Sequence, residues 1–482
     1  MLKSLAKNSI IYYASTILTK GISFFLLPLY VSILSASDYG VLELISLVTT
    51  LVIIIFTFQI GQGVARYYNE LTTKKAIKIY SSTIAFFVLF SFLFFFLLSF
   101  LCLGFISSYL ELTPRMTMIA MVSIALNGLF YLSQNQLAWK IKPLQEISSG
   151  LIYNLTTIGF TIYFLLFLDF GVLGIFISQA IGATLGIAAG ILFTASDYGL
   201  YFSKKVLGKL LLFSAPLIPG ALSIFVFSFT DRICIKEMLD MNELGVYSVG
   251  SKIATILTFT SLGVSAALSP LIYKHYKETN TPEKIALLFR VFSSLSFVVL
   301  AFISFFSREI ILTMTNEKYI GAASVVPFLL LAIYLNSFVP FFPGLYIGKK
   351  TALISVIAVF TGVLNVALNL WLIPLHGINA AAIVTALSFG LNFLLLHYFS
   401  QKEFKIATSI WPVIFVLAIL FGCLYLINVF SLNIILKAIG FVFCTLLSLW
   451  LILRRADYHF IKRKLGDLIG RKLKIGSHKI KN

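Results

Sequence analysis

The 482-residue sequence is poor in charged residues, which make up only 11% of the chain, whereas hydrophobic residues make up 59%. Soluble globular proteins carry roughly 25% charged and roughly 45–50% apolar residues, and disordered chains have low hydrophobicity. The composition therefore excludes both classes. Because a membrane-spanning helix needs about 20 predominantly apolar residues, the chain can supply many such helices. We predict an all-α polytopic membrane protein.

The motifs of common catalytic and metal sites are also missing. The four cysteines form no CxxC pair and the five histidines form no HExxH motif, so a metal site is not expected. The longest external connection, residues 231–243, has room for a turn but not for a catalytic domain. A membrane enzyme would need a sizeable loop with His, Asp or Arg at the membrane face. We therefore predict that the protein is not an enzyme and needs no cofactor.

Apolar runs separated by short polar connections predict about fourteen transmembrane helices. The predicted spans are residues 8–33, 41–64, 80–106, 115–139, 148–168, 171–195, 208–231, 244–272, 285–306, 323–347, 351–373, 378–399, 409–429 and 434–453. On the side of the two termini lie 29 Lys and Arg residues, against 6 on the other side and 2 within spans. Because cytoplasmic loops are enriched in Lys and Arg, we expect both termini in the cytoplasm. The net charge of +19 has the same origin and does not indicate a nucleic-acid partner.

An internal repeat divides most of the chain in two. The matching segments are residues 37–41 with 242–246, 171–174 with 377–380, and 140–142 with 349–350, at offsets of 205, 206 and about 208. Six spans per repeat is an even number, so both halves enter the membrane from the same side as parallel repeats, a design that places substrate between the halves. We predict an N lobe at 1–200 and a C lobe at 201–403 around a central cavity. Two additional helices at 404–453 and a basic cytoplasmic tail at 454–482 complete the chain.

Two lysines fall where the bilayer disfavours charge. Lys20 lies about 12 residues into the first predicted span, and Lys252 about 8 residues into the eighth, roughly 18 Å and 12 Å deep at 1.5 Å per residue. Each lies on a polar stripe of its helix, which either faces a water-filled cavity or pairs with a neighbouring helix while the lysine snorkels. In the first case the lysines would bind anionic cargo, such as phosphate or diphosphate on a lipid carrier.

Four further charged residues are candidates for the same site. Arg66, at the inner end of the second span, either faces the cavity or anchors the helix at the membrane surface. Glu43 is a charge partner for one of the two lysines, a carboxylate that carries a coupling proton, or a residue that caps or pairs near the interface. Asp231 and Arg232 form either a local ion pair or an outer gate.

The tail from residue 454 to 482 carries ten Lys and Arg residues interleaved with apolar ones. This pattern is typical of an amphipathic helix on anionic membrane lipids, and the alternative is a solvated, disordered tail.

Four segments in order resemble one family. They are residues 27–30 with 37–41, 215–219 with 231–232, 244–248, and 365–374 with 377, 381–382 and 385. Over about residues 1–400 the sequence resembles the polysaccharide flippases of the multidrug/oligosaccharidyl-lipid/polysaccharide exporter superfamily. One departure is Asn379-Ala380, where the family usually has Gly before the Ala pair.

The resemblance implies two six-helix lobes, a cationic cavity and rocking alternating access. It also implies that the cargo is a polyprenyl-diphosphate-linked oligosaccharide, moved from the cytoplasmic to the outer leaflet of a bacterial or archaeal cytoplasmic membrane for surface polysaccharide such as O-antigen or capsule. In the related peptidoglycan-precursor flippases, basic residues on the first, second and eighth helices line the cavity, the helices that carry Lys20, Arg66 and Lys252 here. H⁺ or Na⁺ is the expected coupling ion, and polymerase or glycosyltransferase machinery is an expected partner.

The alternative is a cation-coupled multidrug exporter of the same architecture. Such an exporter would need carboxylates deep in the N-terminal half, whereas the deep charge on the first predicted helix is Lys20.

Overall fold

The computed structural model of the protein describes residues 24, 26–140, 142–261, 268, 272, 275–430, 433–454 and 457. These residues form helices and turns without any β-strand, which confirms the all-α prediction. The helices are α1 Leu27–Ile33, α2 Ala36–Phe56, α3 Ile60–Tyr67, α4 Lys74–Leu101, α5 Leu103–Leu110, α6 Pro114–Trp139, α7 Pro143–Leu166, α8 Gly171–Thr194, α9 Lys204–Ser214, α10 Ile218–Met238, α11 Met241–Ala254, α12 Thr281–Phe305, α13 Ser307–Met314, α14 Ala322–Asn336, α15 Gly344–Ile347, α16 Thr351–Glu403, α17 Trp411–Phe430 and α18 Ile434–Ile452.

Within the described part of the chain, eleven helical segments are long and apolar enough to cross a membrane. Two of the fourteen predicted spans, 351–373 and 378–399, fall in the single segment Thr351–Glu403, which breaks at Gly377. The first predicted span, and the second half of the eighth, lie largely outside the described residues. The count of fourteen therefore stays a prediction.

The repeat found in the sequence reappears in the helix starts. Helix α2 begins at Ala36 and α11 at Met241, a separation of 205 residues. The backbone N–H of Asp38 donates to Ser35 Oγ at 3.1 Å, and the N–H of Glu243 donates to Asp240 Oδ1 at 2.8 Å. Both helices thus begin after an N-cap side chain at equivalent positions, which satisfies a backbone donor that the helix leaves unpaired.

The two other repeated turns also match. Gly171 and Gly377 both have positive φ, +53° and +63°, a conformation that glycine adopts at little cost. At the third turn the N–H of Lys142 donates to the carbonyl five residues earlier at 3.1 Å, and the N–H of Lys350 does the same at 2.8 Å.

The chain divides into two compact units. Unit 1 comprises Met1–Ile253, Ile311–Val325 and Gly362–Val384; unit 2 comprises Ala254–Ile310, Val326–Thr361 and Thr385–Asn482. The predicted lobe boundary near residue 200 falls between α8 and α9 and stays a prediction.

Unit 1 is packed closely along α8 because that helix presents glycine to its neighbours. A Cβ on Gly182 would lie 2.9 Å from the carbonyl oxygen of Tyr153 on α7, and one on Gly186 would lie 2.6 Å from the Phe130 ring on α6. Small residues let membrane helices approach closely where apolar burial alone provides no driving force.

Unit 2 is held by aromatic packing and by buried ion pairs. The Phe289 ring lies 4.9 Å from Phe338 and 5.7 Å from Phe341, centre to centre, and all three are buried. Arg290 on α12 binds Asp457 through Nε and Nη2 at 2.6 Å and 2.8 Å. The pair fixes the chain just beyond α18 to α12.

Candidate functional site

Three helices of unit 1 meet at the guanidinium of Arg232, on α10. Its Nε donates to Glu43 Oε1 on α2 at 2.7 Å, and its Nη2 donates to Ser251 Oγ on α11 at 2.6 Å. Nη1 donates to Asp231 Oδ1 at 3.2 Å and to the carbonyl oxygen of Ser228 at 3.4 Å. Every guanidinium nitrogen therefore has an acceptor. We call Glu43, Asp231, Arg232, Tyr247 and Ser251 the Arg232 network.

Asp231 is held from the other side by Tyr247, whose hydroxyl donates to Oδ2. Tyr247 and Ser251 are four residues apart on α11, so they share one face of that helix. Tyr247 therefore orients the carboxylate while Ser251 binds the guanidinium that the carboxylate attracts.

The network is largely enclosed. The side chains of Asp231, Arg232 and Glu43 are 6%, 13% and 25% exposed. Glu43 lies seven residues after the start of α2, roughly 10 Å along the helix. A buried ion pair of this kind is sensitive to loss of either partner, because the remaining charge stays in a low-dielectric environment. The two carboxylates and one guanidinium leave one negative charge in excess when all are ionised.

The residues predicted to form a cationic cavity are only partly described. Lys20 lies outside the described residues. Lys252 follows Ser251 on α11 and is half-buried. The structure brings Glu43 to Arg232, one of the two residues predicted to form a local ion pair or an outer gate. Whether the two lysines bind cargo stays a prediction.

Arg66 is placed at a surface. Its side chain is 57% exposed and Nη1 donates to Glu70 Oε1 at 2.8 Å. Lys209 on α9 approaches the other oxygen of Glu70 at 3.7 Å and lies 4.0 Å from the centre of the Tyr67 ring. Two cations from different helices therefore hold one carboxylate. We call this cluster the Glu70 clamp.

The sequence did not indicate Tyr247, Ser251 or Lys209 as site residues, although Tyr247 lies in the segment 244–248 that resembles the family. The polar stripe predicted on the eighth span contained their neighbours, Ser248 and Lys252, and the i,i+4 spacing of Tyr247 and Ser251 was the available signal. A further polar pair is buried on α16, where Asn369 Nδ2 donates to Asn365 Oδ1 at 3.0 Å.

In the described residues, no three His, Cys, Asp or Glu side chains are grouped so that they could hold a metal ion. The site consists of paired carboxylates and cations. What these groups can do chemically is form ion pairs, break them and exchange one ionic partner for another.

Comparison with known proteins places the chain in a family. The family described as polysaccharide biosynthesis protein matches residues 5–258, more than half of the sequence. The chain belongs to the polysaccharide biosynthesis protein family. A second family, MatE, matches residues 216–371. An uncharacterized membrane protein of Methanocaldococcus jannaschii is 26% identical over 269 residues, which are 48% of this chain and 52% of that protein. The match thus spans about half of that relative's length.

Solved structures show the same fold. The lipid II flippase MurJ in an inward closed conformation has a TM-score of 0.68 at 15% identity, covering 95% of this chain and 99% of that one. A multidrug resistance MATE family transporter of the MOP superfamily, in an inward-facing conformation, has a TM-score of 0.65 at 15% identity, covering 80% and 94%. The predicted resemblance to a polysaccharide family and the all-helical fold class are confirmed, and the matches agree with the coarse prediction of a membrane transporter or flippase.

Proposed function

We propose that this family member is a flippase that moves a polyprenyl-diphosphate-linked oligosaccharide from the cytoplasmic to the outer leaflet for surface polysaccharide assembly. The observation that carries the proposal is the match to polysaccharide biosynthesis proteins over residues 5–258. The fold shared with a lipid II flippase along 95% of the chain supports it. Such a flippase would serve the assembly of O-antigen or capsule. It would lie in a bacterial or archaeal cytoplasmic membrane, beside glycosyltransferase or polymerase machinery.

Lys20, Lys252 and Arg66 are the residues we propose to bind the diphosphate. A charge at the bilayer centre costs at least about 2.5–3.5 kcal/mol on insertion scales, so a lysine at that depth needs a function that offsets the cost. A diphosphate headgroup in transit supplies opposite charge and strong hydrogen-bond acceptors.

The Glu70 clamp gives Arg66 a role at the surface. Arg66 and Lys209 already hold one carboxylate between them, and exposed pairs of this type contribute only about 0.2–1 kcal/mol. A diphosphate with more charge and more acceptor oxygens can therefore take the place of Glu70. Arg66 would then bind the headgroup before it reaches the deeper lysines.

Asp231, Arg232 and Glu43 are proposed to act as a gate coupled to H⁺ or Na⁺. Arg232 joins α2 of the N-terminal half to α11 of the C-terminal half. Protonation of Glu43, or a cation bound beside it, would remove one of the charges that Arg232 pairs with and would weaken that joint.

The test is transport in proteoliposomes loaded with a fluorescent polyprenyl-diphosphate oligosaccharide, with leaflet exchange followed by a membrane-impermeant quencher. Lys20→Ala and Lys252→Ala should each abolish exchange, and Lys→Arg variants should retain part of it. Lys75→Ala is the matched control, because Lys75 is exposed at the start of α4. Wild-type exchange in both alanine variants would refute the cationic site.

The alternative, a cation-coupled multidrug exporter, is favoured by the MatE match at residues 216–371 and by the transporter of that family among the structural neighbours. Efflux of cationic dyes from cells that express the protein separates the two. Dye efflux without oligosaccharide exchange would replace the flippase proposal.

A further inference from the structure

The starts of α2 and α11 touch through two glycines, one on each helix. A Cβ on Gly40 would overlap the carbonyl oxygen of Met241 and lie 3.1 Å from its carbonyl carbon. A Cβ on Gly245 would overlap the carbonyl oxygen of Ala36 and lie 2.7 Å from its carbonyl carbon. Backbone therefore rests directly on backbone at this point. We call this pair of interactions the glycine contact.

The glycine contact is reciprocal under the sequence repeat. Adding 205 to Ala36 gives Met241, and adding 205 to Gly40 gives Gly245. Gly40 thus contacts Met241, which is the repeat equivalent of Ala36. Gly245, which is the repeat equivalent of Gly40, contacts Ala36 itself. This is the self-complementary pattern of a two-fold interface, in which residue i contacts j while j contacts i. The two halves of the chain meet here through the same surface.

Backbone conformation does not require glycine at either position. Both residues lie inside helices, and in the described chain the glycines with positive φ are Gly171 and Gly377. Glycine in a helix interior costs up to about 1 kcal/mol relative to alanine. What the two glycines provide is therefore the close approach of α2 and α11, not a turn.

Other segments close around the same end of unit 1. Asn316 Nδ2 donates to the carbonyl oxygen of Val31 at 2.9 Å, and the Tyr319 hydroxyl donates to that of Leu34 at 3.4 Å. Glu43 lies about one turn along α2 from Gly40, so the Arg232 network is adjacent. The glycine contact and the network are thus two successive layers between the same helices, one steric and one electrostatic.

We propose that the glycine contact is the steric seal of one end of the transport path, and that its two glycines set how often that end closes. None of the hydrogen bonds described above joins the two backbones at the glycine contact. The two helices can therefore separate there and meet again without breaking a strong bond. The Arg232 network then holds the closed state by charge. This inference rests on the proposed transport function.

The test uses Gly40→Ala, Gly245→Ala and the double variant. Spin labels at Ser32 and Asn242, both exposed and lying four residues before Ala36 and one residue after Met241 in the chain, report the separation by pulsed electron resonance in a chain whose four cysteines are replaced by serine. Gly159→Ala is the control, because a Cβ there has nothing within 4 Å. Each alanine should lengthen the main distance and slow leaflet exchange at least about tenfold, a bias of roughly 1.4 kcal/mol. The double variant should resemble either single one, since one methyl group already separates the surfaces.

An unchanged distance distribution in both single variants would overturn the seal, whatever happens to transport. A longer distance with transport like that of Gly159→Ala would overturn its role in the cycle. The distance measurement needs no cargo, so it still decides the structural question if the wild-type protein fails to move the oligosaccharide, a result that would refute the proposed function alone.

Discussion

Arg232 shows how much one side chain can organise. Its guanidinium accounts for contacts to α2 and α11 as well as to its own helix, and the partner on α2 is 189 residues away in the chain. The sequence indicated Asp231 and Arg232 as a pair, because two opposite charges adjoin in an apolar segment. It did not indicate that Glu43 would join them, since that depends on how α2 packs against α10.

Replacing Arg232 should destabilise the protein strongly. Arg232→Met leaves the buried carboxylate of Asp231 and the partly exposed one of Glu43 without their cation, and breaking a buried pair costs about 3–5 kcal/mol. Thermal unfolding of the purified protein in detergent is the measurement. Glu43→Gln retains the shape and a hydrogen-bond acceptor, so it should cost less and serves as the milder variant. Equal melting temperatures for the wild type and Arg232→Met would contradict the network.

Asp457 should make stability depend on pH at the acid end. Burial alone would raise the pKa of its carboxyl group, but hydrogen bonds from Arg290 and from the backbone N–H of Arg454, with their positive charges, lower it below the ordinary value of 3.8. A lowered pKa means that the pair stabilises the folded state above pH 3.8 and that this contribution is lost as pH falls through the lowered pKa. Melting temperatures measured from pH 7 downwards should therefore fall more steeply for the wild type than for Asp457→Asn. Parallel curves would show that the pair has no such linkage.

Among the helices, starts were easier to predict than ends and pairings. The turn residues around Asp38, Gly171 and Gly377 were recognisable from their own chemistry, and the structure gives them an N-cap and two positive φ angles. The sequence likewise divided Thr351–Glu403 into two spans at the turn around Gly377, and the backbone is non-helical at that residue. The approach of α2 to α11 was not predictable, because a glycine in a sequence does not say which backbone it will meet.

Gly377 should be harder to replace than a glycine inside an ordinary helix. Its φ of +63° and ψ of −149° lie close to a region that is essentially limited to glycine, while a Cβ there would meet nothing within 4 Å. Gly377→Ala should therefore destabilise through backbone strain alone, by about 1–3 kcal/mol. Unfolding in denaturant measures the change. Gly159→Ala, in an ordinary helix, should instead be neutral or stabilising. Equal effects of the two substitutions would mean that the turn relaxes.

At the level of the whole molecule, composition was enough to predict the class of protein and the resemblance was enough to predict its family. Apolar length sets the number of helices, and the segments at 27–41 and 215–248 lie within residues that the family match covers. The cargo stays a proposal, because its recognition would depend on side chains, such as Lys252, that have to converge from distant helices. The orientation in the membrane can be predicted without knowledge of any contact, because it follows from the distribution of Lys and Arg.

That distribution can be tested directly with single cysteines in otherwise cysteine-free protein. Lys142 precedes α7 and Asp169 follows it, and both are exposed. Because one helix separates them, they must lie on opposite sides of the membrane, and the side with 29 of the 37 Lys and Arg should be cytoplasmic. In intact cells a membrane-impermeant maleimide should label Asp169→Cys, whereas Lys142→Cys should react only after permeabilisation. The reverse pattern would place the Glu70 clamp on the outer side of the membrane, where a headgroup made in the cytoplasm does not arrive. It would therefore contradict the proposed direction of transport.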